Sequence, residues 1–522
     1  MRRAAQVLAI LLLGAGLMPA SAEAADCRPL ADLKIENVNL LSSVEVPASG
    51  DLPAYCRVLG FVRPAINFEV RLPNENWNGK FYMAGCGGFC GTLDSDRPGF
   101  TNAMNFGLRR NYAVSTTDGG HWGTSVVDGR WAANNPVAQT DWGQRAVTET
   151  ARASKALVRA YYGDAQKKSY FVGCSTGGRM AAMEASRFPK DFDGIISGAP
   201  ALDYTGLVGT LFAWTAKANT GPDGKPILST AKAKVLGDAV ASACAQPGLK
   251  DGPVADPRSC RFEPSRLACN SADGANCLNA AEIDVVEKWY AGPKDSRGRQ
   301  LFPGGIPVGS EAHWPRWLTG LAPAPALMPL FGQDFVRYMA TEPALGSSFR
   351  IADFDFDRDP PRMAAAARVY NAATFDPDGP AEVVGADLFA FRDAGGKMIL
   401  YHGWADPLVT PFMTVAYYEA LARHAGGTEK AQDFARLFMV PGMDHCGIGT
   451  AGPGISDTGI DPLTALERWV EGGRAPDELL AVKTGAGGGT VWQQPICAYP
   501  KAATYKGVGD PAEAASYACS AP

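Results

Sequence analysis

The chain has 522 residues, a net charge of −5 and 12 cysteines. That length exceeds what one core usually holds, so a main domain with a large insertion or partner domain is expected. The charges are interspersed with no basic stripe, which argues against nucleic acid as a partner. Beyond the N-terminal segment, no stretch approaches the roughly 18 apolar residues of a membrane span.

The chain opens with Met1-Arg-Arg3, an apolar run from Val7 to Met18, and small residues at Ala20-Ser-Ala22 and Ala22-Glu-Ala24. This pattern predicts a secretory signal peptide over residues 1–24, cleaved after Ala22, Ala24 or Ala25, and a secreted or periplasmic mature protein. In that compartment an even cysteine count favours disulfides over thiols or metal sites, although spacing alone gives no connectivity.

Ile35–Pro47 and Val58–Leu72 mix apolar and polar residues between turn signals, as antiparallel strands do. Lys80–Ala84 is a short strand entering Gly85-Cys-Gly-Gly-Phe-Cys-Gly91, and Tyr112–Thr116 is another, ending at Asp118-Gly-Gly-His121. Asp141–Tyr162 has helical periodicity, although Thr150 and Ser154 dilute its apolar stripe. Strand Tyr170–Gly173, helix Thr176–Phe188 and strand Gly194–Ser197 follow, an alternation that implies a parallel sheet covered by helices. From about Ala201 to Gly395 the rhythm is lost among Pro and Gly breaks and Trp289, Trp314 and Trp317. It resumes with strand Lys397–Tyr401, helix Phe412–Arg423 and strand Leu437–Val440. The expected architecture is α/β, with a catalytic domain formed by residues 25–200 and 396–522. A lid domain, residues 201–395, is inserted over the carboxyl edge of the sheet, where α/β proteins hold ligands.

Gly173-Cys-Ser-Thr-Gly177 fits G-x-S-x-G between a β-prone run and a helix. In such an elbow a strained turn presents the serine, here Ser175, as a nucleophile at the positive end of a helix. The order Ser, acid, His then points to Asp406, in Tyr401-His-Gly-Trp-Ala-Asp406, and to His445, in Asp444-His-Cys446. Asp444 is a rival acid, but adjoining side chains usually point apart. His313 and His424 read as surface or packing residues, and His121 and His402 as pocket-lining candidates after strand ends. A zinc site from His121, His402 and His445 lacks any recognised ligand spacing.

The oxyanion hole is expected from the N–H of Thr176 and from Gly87 or Gly88 in the glycine-rich loop. A bond between Cys86 and Cys90 is one way that loop could be stiffened. Ser175 and His445 each adjoin a cysteine. If the two are catalytic partners, Cys174 and Cys446 fall within the ~4.4–6.8 Å Cα separation that a disulfide spans.

The Cys-Ser and His-Cys pair, the Gly-Gly loop and Tyr-His-Gly-x-x-Asp together resemble the tannase and feruloyl esterase family, which includes mono(2-hydroxyethyl) terephthalate hydrolases. The likeness spans nearly the whole mature chain. It implies an α/β-hydrolase fold with a large lid, the triad Ser175, Asp406 and His445, and the Cys174–Cys446 bond. It also implies the pairs Cys27–Cys56, Cys244–Cys260, Cys269–Cys277 and Cys497–Cys519, leaving Cys86 and Cys90 for each other. Many family members hold a structural calcium in a lid loop with three aspartates. The corresponding stretch, Cys244 to Gly252, keeps only Asp251 and adds Lys250. Calcium takes 6–8 oxygens, so a lost or weak site is expected, with no cofactor for the chemistry. The favoured function is a secreted serine esterase for feruloyl, galloyl or terephthaloyl esters, with a small aromatic ester as substrate and neither nucleic acid nor, after signal cleavage, a membrane as partner. The alternatives are a carboxylesterase or peptidase with a non-aromatic substrate, and a catalytically dead binding protein.

Overall fold

The computed structural model describes residues 26–93, 103–245, 252–270, 274–371, 374, 383–448, 455–456, 459–485 and 487–521. The expected signal peptide (1–24) and Asp251 lie outside these residues.

A nine-stranded sheet forms the centre. Its strands are β1 (Val38–Val46), β2 (Tyr55–Val62), β3 (Ile66–Pro73), β4 (Lys80–Ala84), β5 (Ala113–Thr117), β6 (Lys168–Cys174), β7 (Gly194–Gly198), β8 (Lys397–Gly403) and β9 (Ala435–Val440). They lie in the order β1-β2-β3-β5-β4-β6-β7-β8-β9. The pairs β1/β2, β2/β3 and β3/β5 are antiparallel, and every pair from β5/β4 to β8/β9 is parallel. Strands β6 to β9 are buried along nearly their whole length, which is why they read as apolar runs rather than as alternation.

The helix Thr176–Arg187 leaves β6 and is buried from Thr176 to Ala185. The helix Ala146–Tyr162 packs on β3 and β5, and Ser154 Oγ in its stripe donates to Ser115 Oγ of β5 at 2.9 Å. A polar residue on the buried face therefore has a partner.

Three local expectations shift. The run Val58–Leu72 is two strands, because Arg63-Pro-Ala65 turns the chain between β2 and β3. Residues Asp141–Arg145 form a π-helical turn ahead of the helix, with Arg145 ion-paired to Asp141. Strand β8 runs on to Gly403, so His402 lies within it rather than after its end.

Between β7 and β8 the chain makes helices, including Phe212–Ala218, Thr230–Cys244, Ala280–Ala291 and Leu327–Tyr338, and among the described residues contributes no strand to the sheet. Trp289 meets Trp314 edge to face at 5.0 Å, and Cys244–Cys260 and Cys269–Cys277 are bonded. The insertion is fastened to the sheet domain through Arg179, which is fully buried on the helix after Ser175. Its Nε donates to the Tyr370 carbonyl (3.0 Å), one terminal nitrogen donates to the Gly143 carbonyl (2.7 Å), and the guanidinium lies 4.5 Å from the Trp142 ring centre. Burial, with no carboxylate among the described residues paired to it, lowers the Arg179 pKa to about 10.

Candidate active site

Ser175 ends the turn from β6 into the helix Thr176–Arg187 with φ 65° and ψ −124°, a conformation an L-residue adopts only when its surroundings impose it. The impositions are local. Ser175 N–H donates to the Gly198 carbonyl (3.0 Å) and its own carbonyl accepts from Arg179 N–H (3.0 Å). A Cβ at Gly173 would lie 2.2 Å from the Gly177 carbonyl oxygen, so the two glycines flanking the serine allow a turn this tight. Cys446, beside His445, also has a positive φ, of 54°.

His445 Nδ1 donates to Asp406 Oδ2 at 2.7 Å, both groups being buried. The other carboxylate oxygen, Oδ1, accepts from the N–H groups of Leu408 and Val409, each at 2.9 Å. Burial pushes the Asp406 carboxyl up, but the adjacent His445 charge and the hydrogen bonds from His402 and His445 outweigh it, bringing the pKa down to about 2. A depressed carboxyl stabilises the fold fully above its unfolded value near 4, and that contribution is lost as the pH falls towards 2.

His402 sits behind Asp406 rather than in the cavity and is fully buried. Its Nε2 lies 2.7 Å from the Val409 carbonyl and 3.2 Å from Asp406 Oδ2. Both are acceptors, which puts the proton on Nε2, and Nδ1 accepts from the Thr414 hydroxyl at 2.8 Å. Asp444 does not compete for the imidazole. Its Oδ1 accepts from His445 N–H (2.6 Å) and Trp317 Nε1–H (3.0 Å), and its Oδ2 is 3.7 Å from His313 Nδ1. His313 is thus buried and faces Asp444 from the insertion, and His424 is half-buried near Phe389. His121 stacks on Trp131 at 3.8 Å, and burial lowers its pKa to about 4. Among the described residues no group of three or more His, Cys, Asp or Glu side chains could hold a metal ion.

The structure bonds Cys174 to Cys446, with Cα atoms 5.9 Å apart, and also forms Cys27–Cys56, Cys86–Cys90 and Cys497–Cys519. Ser175 and His445 line one cavity of about 220 Å³ with both members of the first pair. No hydrogen bond joins Ser175 Oγ to His445 Nε2, which has Cys446 Sγ at 3.6 Å. Such contacts are commonly loose before substrate binds.

The same cavity is lined by Gly85 to Gly88 and Cys90. Thr176 Oγ1 donates to the Gly88 carbonyl at 2.6 Å, tying the loop to the elbow. Gly88 has φ 59°, and a Cβ there would meet the Val126 carbonyl oxygen at 2.5 Å, whereas one at Gly87 would meet nothing within 4 Å. Sequence reasoning missed the opposite wall, where the insertion brings Arg316, Trp317, Leu327 and Phe331. The Trp317 ring stands edge to face with His445 at 5.6 Å. Only the tryptophan cluster hinted at this wall, and clustering does not distinguish core from cavity. The wiring can hold an imidazole with Nδ1 donating to a carboxylate and Nε2 free to take a hydroxyl proton.

A mixed sheet with antiparallel early strands and parallel β4 to β9, a serine elbow after β6 and a helical insertion before β8 is an α/β-hydrolase fold. Within that fold, the profile of the tannase and feruloyl esterase family matches residues 53–520. The chain is 35% identical to an uncharacterized esterase of Xanthomonas campestris pv. campestris, over 97% of this chain and 93% of that one. It is also 35% identical to the mono(2-hydroxyethyl) terephthalate hydrolase of Piscinibacter sakaiensis, over 90% and 85%. The crystal structure of feruloyl esterase B from Aspergillus oryzae superposes with a TM-score of 0.80 at 26% identity, covering 94% of this chain and 98% of that one. The chain belongs to the tannase and feruloyl esterase family and is an ester hydrolase.

Proposed function

We propose that the chain is an exported serine esterase for esters of aromatic carboxylic acids, working through Ser175, His445 and Asp406. The observation that carries this reading is the Asp406–His445 hydrogen bond ending in the cavity that Ser175 lines, across the Cys174–Cys446 bond. In this mechanism Ser175 Oγ attacks the ester carbonyl as its proton passes to His445 Nε2. Asp406 holds the tautomer and stabilises the imidazolium that forms. The oxyanion takes hydrogen bonds from Thr176 N–H and from Gly87 or Gly88. His445 then returns the proton to the departing alkoxide, leaving an acyl-enzyme, and water repeats the cycle.

Residues 201–395 act as the lid, with Arg316, Trp317, Leu327 and Phe331 as the acyl wall. A cavity of about 220 Å³ is small beside the usual ~300–1,000 Å³ of ligand clefts and suits a single ring. Arg316 is exposed, has only the Trp317 ring against its guanidinium among the described residues, and favours a ring acid with a second carboxylate. Relatives named for terephthalate monoester and feruloyl ester hydrolysis support the aromatic class. Six disulfides and the N-terminal pattern support export, and among the described residues no helix is long and apolar enough to cross a membrane.

An ester panel tests the reading: methyl ferulate, methyl gallate, a terephthalate monoester, dimethyl terephthalate and p-nitrophenyl butyrate. The expected result is highest kcat/KM on an aromatic ester, with the terephthalate monoester ahead of its diester, and fluorophosphonate labelling that Ser175→Ala removes. Preference for the butyrate would move the assignment to a general carboxylesterase. Turnover undiminished in Ser175→Ala would end it.

The chemistry requires no metal, and the stretch from Cys244 to Gly252 offers calcium one aspartate, Asp251, beside Lys250. Calorimetric titration of the chelator-treated protein with calcium is expected to give weak or no binding. A tight site would refute this part alone.

A further inference from the structure

The loop that carries the proposed oxyanion donors contains a second covalent restraint. Cys86 and Cys90 are bonded across a sequence separation of 4, and both line the cavity with Ser175. The ring encloses Gly87, Gly88 and Phe89, including two consecutive glycines with the widest conformational freedom of any residue.

The central carbonyls of this ring are all engaged. The carbonyls of Gly87, Gly88 and Phe89 accept from Cys90 N–H (2.9 Å), Thr176 Oγ1 (2.6 Å) and Trp142 Nε1 (3.1 Å). Phe89 N–H donates to the Val126 carbonyl at 2.7 Å. The N–H groups of Gly87 and Gly88 have no backbone partner among the described residues. Gly87 is exposed and Gly88 half-buried on the wall of the cavity that Ser175 lines, and two adjacent backbone donors beside a nucleophile elbow suit a ligand oxygen. Keeping them ready requires Gly88 at φ 59° and Cys90 at φ 64°, and a non-glycine residue holds the latter only under restraint.

We propose that the Cys86–Cys90 disulfide is a positioning device for the oxyanion hole, holding the Gly87 and Gly88 N–H groups where charge develops on the carbonyl oxygen. This rests on the reading of Ser175 as nucleophile. A ring this short restricts the unfolded chain much less than a long one, so its effect falls on the transition state more than on global stability. Thr176 has a parallel part, since its hydroxyl seats the Gly88 carbonyl from the elbow side.

The test uses the full chain, with an activated aryl ester as substrate and an aryl boronic acid as probe. The boronate forms a tetrahedral adduct on serine and requires the oxyanion donors, whereas the product carboxylic acid does not require them in that geometry. In Cys86→Ala/Cys90→Ala, kcat and boronate affinity are expected to fall together by about 10–100-fold, less than the 10²–10³ of losing a donor outright. KM and inhibition by the product acid should stay within about twofold, and Tm within a few degrees. Thr176→Val should reproduce the same signature without touching a disulfide.

Unchanged kcat and boronate affinity in the double variant overturn the proposal. So does a variant that fails to fold or loses Tm while titrated sites keep full kcat, because the bond then serves folding. Absence of any Ser175-dependent hydrolysis in the wild type removes the parent reading instead. An active wild type with an unaffected double variant removes only this one.

Discussion

Asp406→Asn is expected to lower kcat by about 10⁴-fold while leaving the fold intact. The direction follows from where the two carboxylate oxygens are held. Oδ1 accepts from Leu408 and Val409 N–H, so the amide oxygen of an asparagine must take that place. The NH₂ group then faces His445 Nδ1, now a donor opposite a donor. Relief comes by moving the imidazole proton to Nε2, the nitrogen that must accept the Ser175 proton, so the variant keeps its geometry in the wrong tautomer. The wild-type carboxyl, held at about 2, is ionised throughout any practical assay range, so acid loss of wild-type activity does not report Asp406. Steady-state kinetics with fluorophosphonate titration of sites measures the effect. A kcat within about tenfold of wild type would remove Asp406 from the mechanism and return attention to Asp444.

Much of this arrangement is readable in the sequence because its signals are local. Strands buried on both faces appear as apolar runs, and a G-x-S-x-G between a strand and a helix dictates a turn that needs those glycines. The insertion is different. Its ties to the rest of the chain span large separations, 191 residues for Arg179 to Tyr370 and 127 for Trp317 to Asp444, and no periodicity records such pairs. Arg316 and Phe331 on the cavity wall are illegible for the same reason. His402 shows how two residues matter. Reading β8 as ending at Tyr401 makes His402 a cavity residue, whereas its true end at Gly403 seats the ring behind Asp406. Gly403 permits this close packing, since a Cβ there would lie 2.1 Å from the Met443 carbonyl oxygen.

The Cys174→Ala/Cys446→Ala variant is expected to show two separable losses. The bond closes a separation of 272 residues, for which the loop-closure treatment gives about 5.6 kcal/mol of lost stability as an upper value. This loss should appear as a lower denaturant midpoint. The second loss persists where the variant is still folded. His445 stays tied to Asp406, and Asp444 still accepts from its N–H and from Trp317, so the imidazole is not released altogether. None of these contacts reaches the Ser175 side. The bond is the one covalent link between the residues flanking the serine and the histidine. Without it the Ser175–His445 separation depends on packing between two turns, each with a strained positive φ at or beside the reacting residue. A misplacement of about 1 Å in such a site costs about 10²-fold in rate. At a temperature well below the variant's transition, kcat per titrated serine is therefore expected to fall about 100-fold, with substrate KM little changed. A folded variant with wild-type kcat would show that packing alone sets the Ser–His distance and reduce the bond to a stabiliser of the chain.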